Sequence, residues 1–248
     1  MSATELSLLA LSGLVAGLIN AVAGGGSLIT LPALMLVGIG AAEANATNRI
    51  AVMAQSITAA RGFHKAGALP LDRVGRELAP TMIGAGLGAW LATRMSDAIM
   101  EPLMLAVLVA VGVAMVWHGG SNATDKPAGP SEVRPILEAT IMGLAGFYGG
   151  FLQAGLGLVF LGTLMGVVGL DPLRANGVKA ALLVGLTVVA LAVFAQADML
   201  RWTPGLVVAA GSVCGAALGV RVALRWASLL RWMALAAVLV SGLVILLR

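Results

Sequence analysis

Ten apolar stretches, at about 6–23, 27–40, 46–60, 77–94, 101–117, 136–152, 156–169, 178–196, 204–221 and 229–247, follow one another along this chain with only short polar interruptions. A chain so patterned has too little polar surface to face water. Only 10% of its residues are charged and 60% are apolar, whereas a soluble domain carries about 25% charged residues. Lipid is therefore the outer solvent. The expectation is an all-α integral membrane protein with about 8–10 membrane segments and no separate soluble domain. The Met-Ser-Ala-Thr-Glu start lacks the positive segment of a secretory leader, so residues 6–23 are read as retained structure.

The net charge of +4 needs no nucleic-acid partner, because basic loops are what membrane orientation requires. A single cysteine, Cys214, excludes an intramolecular disulfide and a cysteine metal cluster. His64 and His118 lack ligand spacing, so neither a metal nor another cofactor is expected. Gly24-x-Gly26 and Gly155-x-Gly157 have no third glycine and no following strand pattern, which rejects a dinucleotide fold. No nucleophile–base pair lies at membrane depth, and an enzyme is not expected.

The chain repeats itself. A shift of 131 positions, without a gap, places Gly24 on Gly155, Gly26 on Gly157, Gly38 on Gly169, Ala44-Asn45 on Ala175-Asn176, Gly84 on Gly215, Gly88 on Gly219 and Arg94 on Arg225. The expected organisation is a first membrane repeat at 1–118, a polar linker at 119–135 and a second membrane repeat at 136–248.

Charge decides how the repeats are oriented. Each begins with an apolar block interrupted by glycines, at Gly24-Gly25-Gly26 and at Gly155/Gly157. If the block crosses once, Lys and Arg split eight to seven between the two sides, which is no bias. If it turns back, the repeats have inverted topology and the split is eleven to four, as the positive-inside rule demands. Two inverted-topology repeats with glycine-broken short helices follow, with both termini outside. Re-entrant hairpins and two short full crossings fit this count equally.

A helix broken inside a membrane leaves N–H groups that lipid cannot satisfy, so the break must face protein or a watery cavity. Those N–H groups and the positive dipole end form a site for an anion. Short, interrupted helices at matching positions of two inverted halves point to a transporter binding site. The candidate substrate contacts are Asn20, Gly24, Gly25, Gly26, Ser27, Asn45, Asn48, Arg49, Gln55, Gln153, Gly155, Gly157, Asn176 and Lys179. Each has a plainer reading. The glycines fit close helix packing, Asn45 and Asn176 fit helix N-caps, and Arg49 and Lys179 fit cations snorkelling to an interface. Gly13/Gly17, Gly84/Gly88, Gly146/Gly150 and Gly215/Gly219 are read as helix contacts only, and Trp117, Trp202, Trp226 and Trp232 as interfacial anchors. No carboxylate is expected securely within a crossing: Glu43, Asp72, Asp97, Glu101, Asp171 and Asp198 all fall at segment ends or loops.

The run from Gly17-Leu-Ile-Asn20 through Gly24-Gly25-Gly26-Ser27 to Pro32-Ala-Leu34, followed by Gly38 and Ala44-Asn45-Ala46-Thr47, resembles the sulfite exporter TauE/SafE family. The second copy departs from it, with Leu156 inside the glycine run and Thr163 where Pro32 would fall. The resemblance implies a carrier of the bacterial inner membrane for small sulfur-containing anions such as sulfite, sulfoacetate or other organosulfonates. Export by alternating access is the leading expectation. A passive anion channel, or an uptake carrier for a related anion such as thiosulfate, is the alternative. The expected partners are that anion and the lipid bilayer, with a homo-oligomer allowed.

Overall fold

A computed structural model describes residues 1–118 and 135–225. The linker at 119–134, the last apolar stretch at 229–247 and the anchors Trp226 and Trp232 lie outside the described residues. Among the described residues every regular element is a helix: α1 (Ala3–Val22), α2 (Ser27–Leu36), α3 (Ala41–Lys65), α4 (Leu71–Ala92), α5 (Asp97–His118), α6 (Pro135–Phe151), α7 (Leu156–Gly166), α8 (Pro172–Gln196) and α9 (Trp202–Arg225). By length and composition α1, α8 and α9 can each cross a bilayer alone.

α3 begins five residues before the apolar stretch that marks it and ends five after, spanning Ala41–Lys65 against 46–60. The polar residues that blunt its hydropathy, Asn45, Asn48, Arg49, Gln55 and Ser56, are all buried. The large apolar side chains Ile83, Leu87, Leu144, Val188 and Leu206 are exposed on the outside of the bundle. Water would impose the reverse distribution, and a bilayer permits this one. At 1.5 Å per residue, α3 and α8 are each about 38 Å long, enough to cross.

The glycine pairs fix which helices touch and in which direction. Gly13 and Gly17 of α1 sit against the backbone at Val208 and Ser212 of α9, while Gly211, Gly215 and Gly219 sit against Ala10, Leu14 and Leu18. Residue numbers rise together on both helices, so α1 and α9 are parallel. Gly84 and Gly88 of α4 meet Gly143 and Phe147, and Gly146 and Gly150 of α6 meet Thr81 and Ala85, so α4 and α6 are parallel too. Gly205 meets Thr47 and Ile50, and Gly62 meets Val220, which sets α3 parallel to α9. Small residues allow this backbone-to-backbone approach, as their spacing predicts.

Neither interrupted block is a continuous helix. α1 ends at Val22, and α2 folds back along it: Gly26 lies against Ala16 and Asn20, and Ala33 and Leu34 share a buried cluster with Leu9. α7 returns along α6 in the same way, with Leu156 over Gly149, and with Phe160 and Leu164 clustered with Met142 and Ala145. At 10 and 11 residues, α2 and α7 each span about half of the hydrocarbon core. Backbone with positive φ recurs at the 131-residue offset, at Gly24 and Gly155, Gly38 and Gly169, and Gly67 and Asp198.

Candidate functional site

The two helix breaks meet one another. Gly24 has φ +87° and Gly155 φ +67°, conformations that glycine adopts at no steric cost. The backbone of Gly24 lies directly against that of Gly157, with no room for a side chain on either. Among the described residues, the N–H groups of Gly25, Gly26, Ser27, Gly155 and Gly157 find no acceptor. Asn48 of α3 ties down the first turn of α2. Its Nδ2 donates to Ser27 Oγ at 3.3 Å and its Oδ1 accepts from Thr30 Oγ1 at 2.6 Å.

The carbonyl ends of the broken helices are held by buried cations. Arg49 donates to the carbonyl of Gly149 and, at 2.9 Å, to that of Gly150, in the last turn of α6. Asn45 Nδ2 donates to the Phe151 carbonyl at 2.8 Å, and Phe194 lies under the Arg49 guanidinium, 5.4 Å to the ring centre. Across the molecule, Lys179 Nζ donates to the Asn20 carbonyl in the last turn of α1 at 2.8 Å and to Asn176 Oδ1 at 2.6 Å. One cation thus sits at the negative dipole end of each broken helix.

Two expectations are corrected here. Arg49 and Lys179 do not snorkel: they are 0% and 1% exposed. Asn45 and Asn176 are not N-caps, because α3 starts after Gly40 and α8 after Asp171. Both asparagines lie a full turn inside their helices, where their amides serve the break of α6 and the Lys179 ammonium. At α8 the Asp171 carboxylate accepts from the N–H groups of Leu173 and Arg174. At α3 the equivalent carboxylate is borrowed: Asp97 of α5 accepts from the Ala42 N–H at 2.8 Å, in space that Gly40 leaves open.

Asn20, Gln55 and Lys179 line one small cavity together with Ser56, Gly17, Phe63 and Leu183, with room for about one water molecule. Gln55 Oε1 and Ser56 Oγ, both buried, have no hydrogen-bond partner among the described residues. Gln153, in the break of the second half, is 3% exposed, has φ +60° and leaves both amide atoms unpartnered. Buried polar groups are rarely left so without a functional reason. The structure thus divides the candidates. Asn20, Gln55 and Lys179, with Asn176 behind them, gather at the first break. Arg49, Asn45, Gln153 and Gly155 gather at the second. Gly24 and Gly157 touch between them, and Gly25, Gly26, Ser27 and Asn48 form the start of α2.

Glu77 is a further carboxylate, and unlike those at the segment ends it is buried in the bundle. It is 1% exposed in α4 and faces Glu138 of α6, which Arg73 approaches at 3.6 Å. Its position at the first residue of an apolar stretch disguised it as a boundary charge. The ion pairs among the described residues are Arg73–Glu138, Arg174–Asp171 and Arg201–Glu43. No carboxylate among those residues pairs with Arg49 or Lys179. A buried charge without an opposite partner costs several kcal/mol.

The profile of the sulfite exporter TauE/SafE family matches residues 9–245. A probable membrane transporter protein of Haemophilus influenzae is 28% identical over 87% of this chain and 84% of its own. One from Sinorhizobium is 28% identical over 88% and 83%. The probable membrane transporter protein YfcA of Escherichia coli K12 is 26% identical over 85% and 78%. No solved structure matches the chain.

Proposed function

The chain belongs to the sulfite exporter TauE/SafE family, and from that premise and its two buried cations we propose that it exports small sulfur-containing anions, sulfite or organosulfonates, by alternating access. It is a membrane transporter, and its relatives carry that name. The observation behind the choice of an anion is the burial of Arg49 and Lys179 without a carboxylate partner among the described residues.

In this reading the anion enters the cavity beside Lys179, where the Asn20 and Gln55 amides and the Ser56 hydroxyl add contacts. The N–H groups at Gly25, Gly26 and Ser27 add a positive field from the start of α2. Arg49, spent on two carbonyls, contributes charge but little contact. α1, α3 and α9 run one way, and α4 and α6 pack as a separate parallel pair. The 131-residue shift pairs α1 with α6, α3 with α8 and α4 with α9, and this supports two halves of inverted topology. Rocking one group against the other about the Gly24–Gly157 contact would open the site to each side in turn. A cavity of one water's size favours a carrier, which must rearrange, over an open channel.

The same reading places the protein in the bacterial inner membrane with both termini outside. Arg49 and Lys179 are buried and no longer count as loop charges, which changes eleven against four to ten against three and sharpens the bias.

The test is uptake and counterflow by protein reconstituted into liposomes, across sulfite, thiosulfate, taurine, sulfoacetate and sulfate. Saturable counterflow of sulfite or a sulfonate is expected, and it should vanish in Gly25→Trp protein that still inserts and elutes as wild type. Transport of none of these anions, or undiminished efflux by that variant, overturns the proposal.

A further inference from the structure

The two breaks carry different cations, and the difference is chemical. Arg49 cannot shed its proton under any physiological condition, whereas a lysine removed from water can. Arg49 is also held in place through its two terminal nitrogens, by two main-chain carbonyls, the Asn45 amide and the Phe194 ring, with only its Nε left without a partner among the described residues. Lys179 has two acceptors, the Asn20 carbonyl and Asn176 Oδ1, which leaves one N–H of its ammonium without an acceptor among the described residues, and it lines the cavity. A neutral amine keeps both of those bonds, since it still has two hydrogens to donate.

We propose, resting on the anion-carrier reading, that Lys179 is a proton-carrying residue: it is charged when an anion occupies the cavity and neutral when the cavity is empty, so that one proton travels with each anion. On release, one Nζ–H bond breaks, the electron pair stays on nitrogen, and the proton leaves to water in the opened cavity beside the departing anion. On loading, water supplies the proton and the anion supplies the negative charge. The site is then neutral both empty and full, which avoids rearranging the bundle around a bare buried cation.

Among the described residues, the surroundings contain nothing else to do this. Of the side chains that line the cavity from α1, α3 and α9, none is titratable, and the others from α8 are Ala180 and Leu183. Arg174, one turn earlier on α8, pairs with Asp171. Glu77, the buried carboxylate, faces Glu138 and Arg73 at the α4–α6 contact and does not line this cavity.

The experiment measures binding of methanesulfonate, a strong acid's anion that carries no proton of its own, to purified full-length protein as a function of pH. Wild type should take up a proton on binding in weakly buffered solution, and at alkaline pH its Kd should rise toward tenfold per pH unit. Lys179→Arg should bind with a flat pH profile and no proton uptake. The wild-type proton uptake decides the matter by itself if that variant does not fold. Binding without proton uptake, or an equal pH dependence in Lys179→Arg, overturns the proposal and leaves the carrier reading standing. Failure of methanesulfonate and of every anion in the transport panel to bind at any pH removes both.

Discussion

A β-carbon built on Gly24 would lie 2.5 Å from the α-carbon of Gly157, so the two helix breaks are held in direct main-chain contact. Neither backbone can give way without moving a helix end. Gly157→Ala should therefore lower stability by about 1–3 kcal/mol, the usual cost of overpacking. Gly24→Ala should cost about 1 kcal/mol more, because φ at Gly24 is +87° and at that angle a side chain adds strain. Thermal melts of the purified variants in detergent check the order. Melting temperatures equal to wild type in both variants would mean the breaks are not in contact.

Gln153 combines a left-handed backbone, at φ +60°, with an amide that bonds to nothing among the described residues. Both features cost stability, the backbone alone about 1 kcal/mol or more. Gln153→Gly should raise the melting temperature while reducing anion transport at least tenfold. A variant that is stabilised and fully active would show that the amide has no part in transport.

The carboxylate that Asp171 supplies to α8 reaches α3 from Asp97, across the gap left by Gly40. Asp97→Ala should cost about 1 kcal/mol, as loss of a helix cap does. Adding Gly40→Asp to that variant puts a carboxylate where the second half has one, and most of the loss should return. Additive losses in the double variant would reject the equivalence.

Arg49 and Lys179 should separate in kind. Arg49→Met uncaps the carbonyls of Gly149 and Gly150, at about 1–3 kcal/mol for each group left buried without a partner. Lys179→Met strands two acceptors, the Asn20 carbonyl and Asn176 Oδ1, against three for Arg49→Met once Asn45 Oδ1 is included, so it should melt closer to wild type. Anion binding should fall more than tenfold in the lysine variant. Paired melts and binding isotherms on the two variants read this out.

Glu77→Gln should hold or raise the melting temperature, because an amide donates to Glu138 where two carboxyl groups otherwise share one contact. Glu77→Lys should lower it, by forcing a second cation into a site that Arg73 already approaches.

The helices and their interruptions were legible because they rest on local chemistry. Apolar runs mark spans, and Gly24-Gly25-Gly26 and Gly155-Leu156-Gly157 mark breaks wherever the period stops. The glycine pairs were legible as helix contacts for the same reason, while the helix that each one meets was not. The partners of Arg49 and Lys179 were not legible. They lie 100 and 159 residues away and are main-chain carbonyls, which carry no sequence signal. Asn45 and Asn176 looked like caps because an apolar-run boundary falls beside them, while the helices extend through polar residues that face inward. Glu77 was hidden by the same rule.

The pairing of α1 with α9 also bears on how the protein is made. Gly13 rests on Val208, 195 positions later in the chain, which at ribosomal speeds of roughly 5–20 residues per second is an interval of about 10–40 s. Through that interval the nascent first helix sits in the bilayer without its main neighbour, and its Asn20 carbonyl waits for Lys179. Completion of the α1 packing therefore waits for α9, and a chain stopped before α9 leaves α1 without the glycine contacts that fix its position.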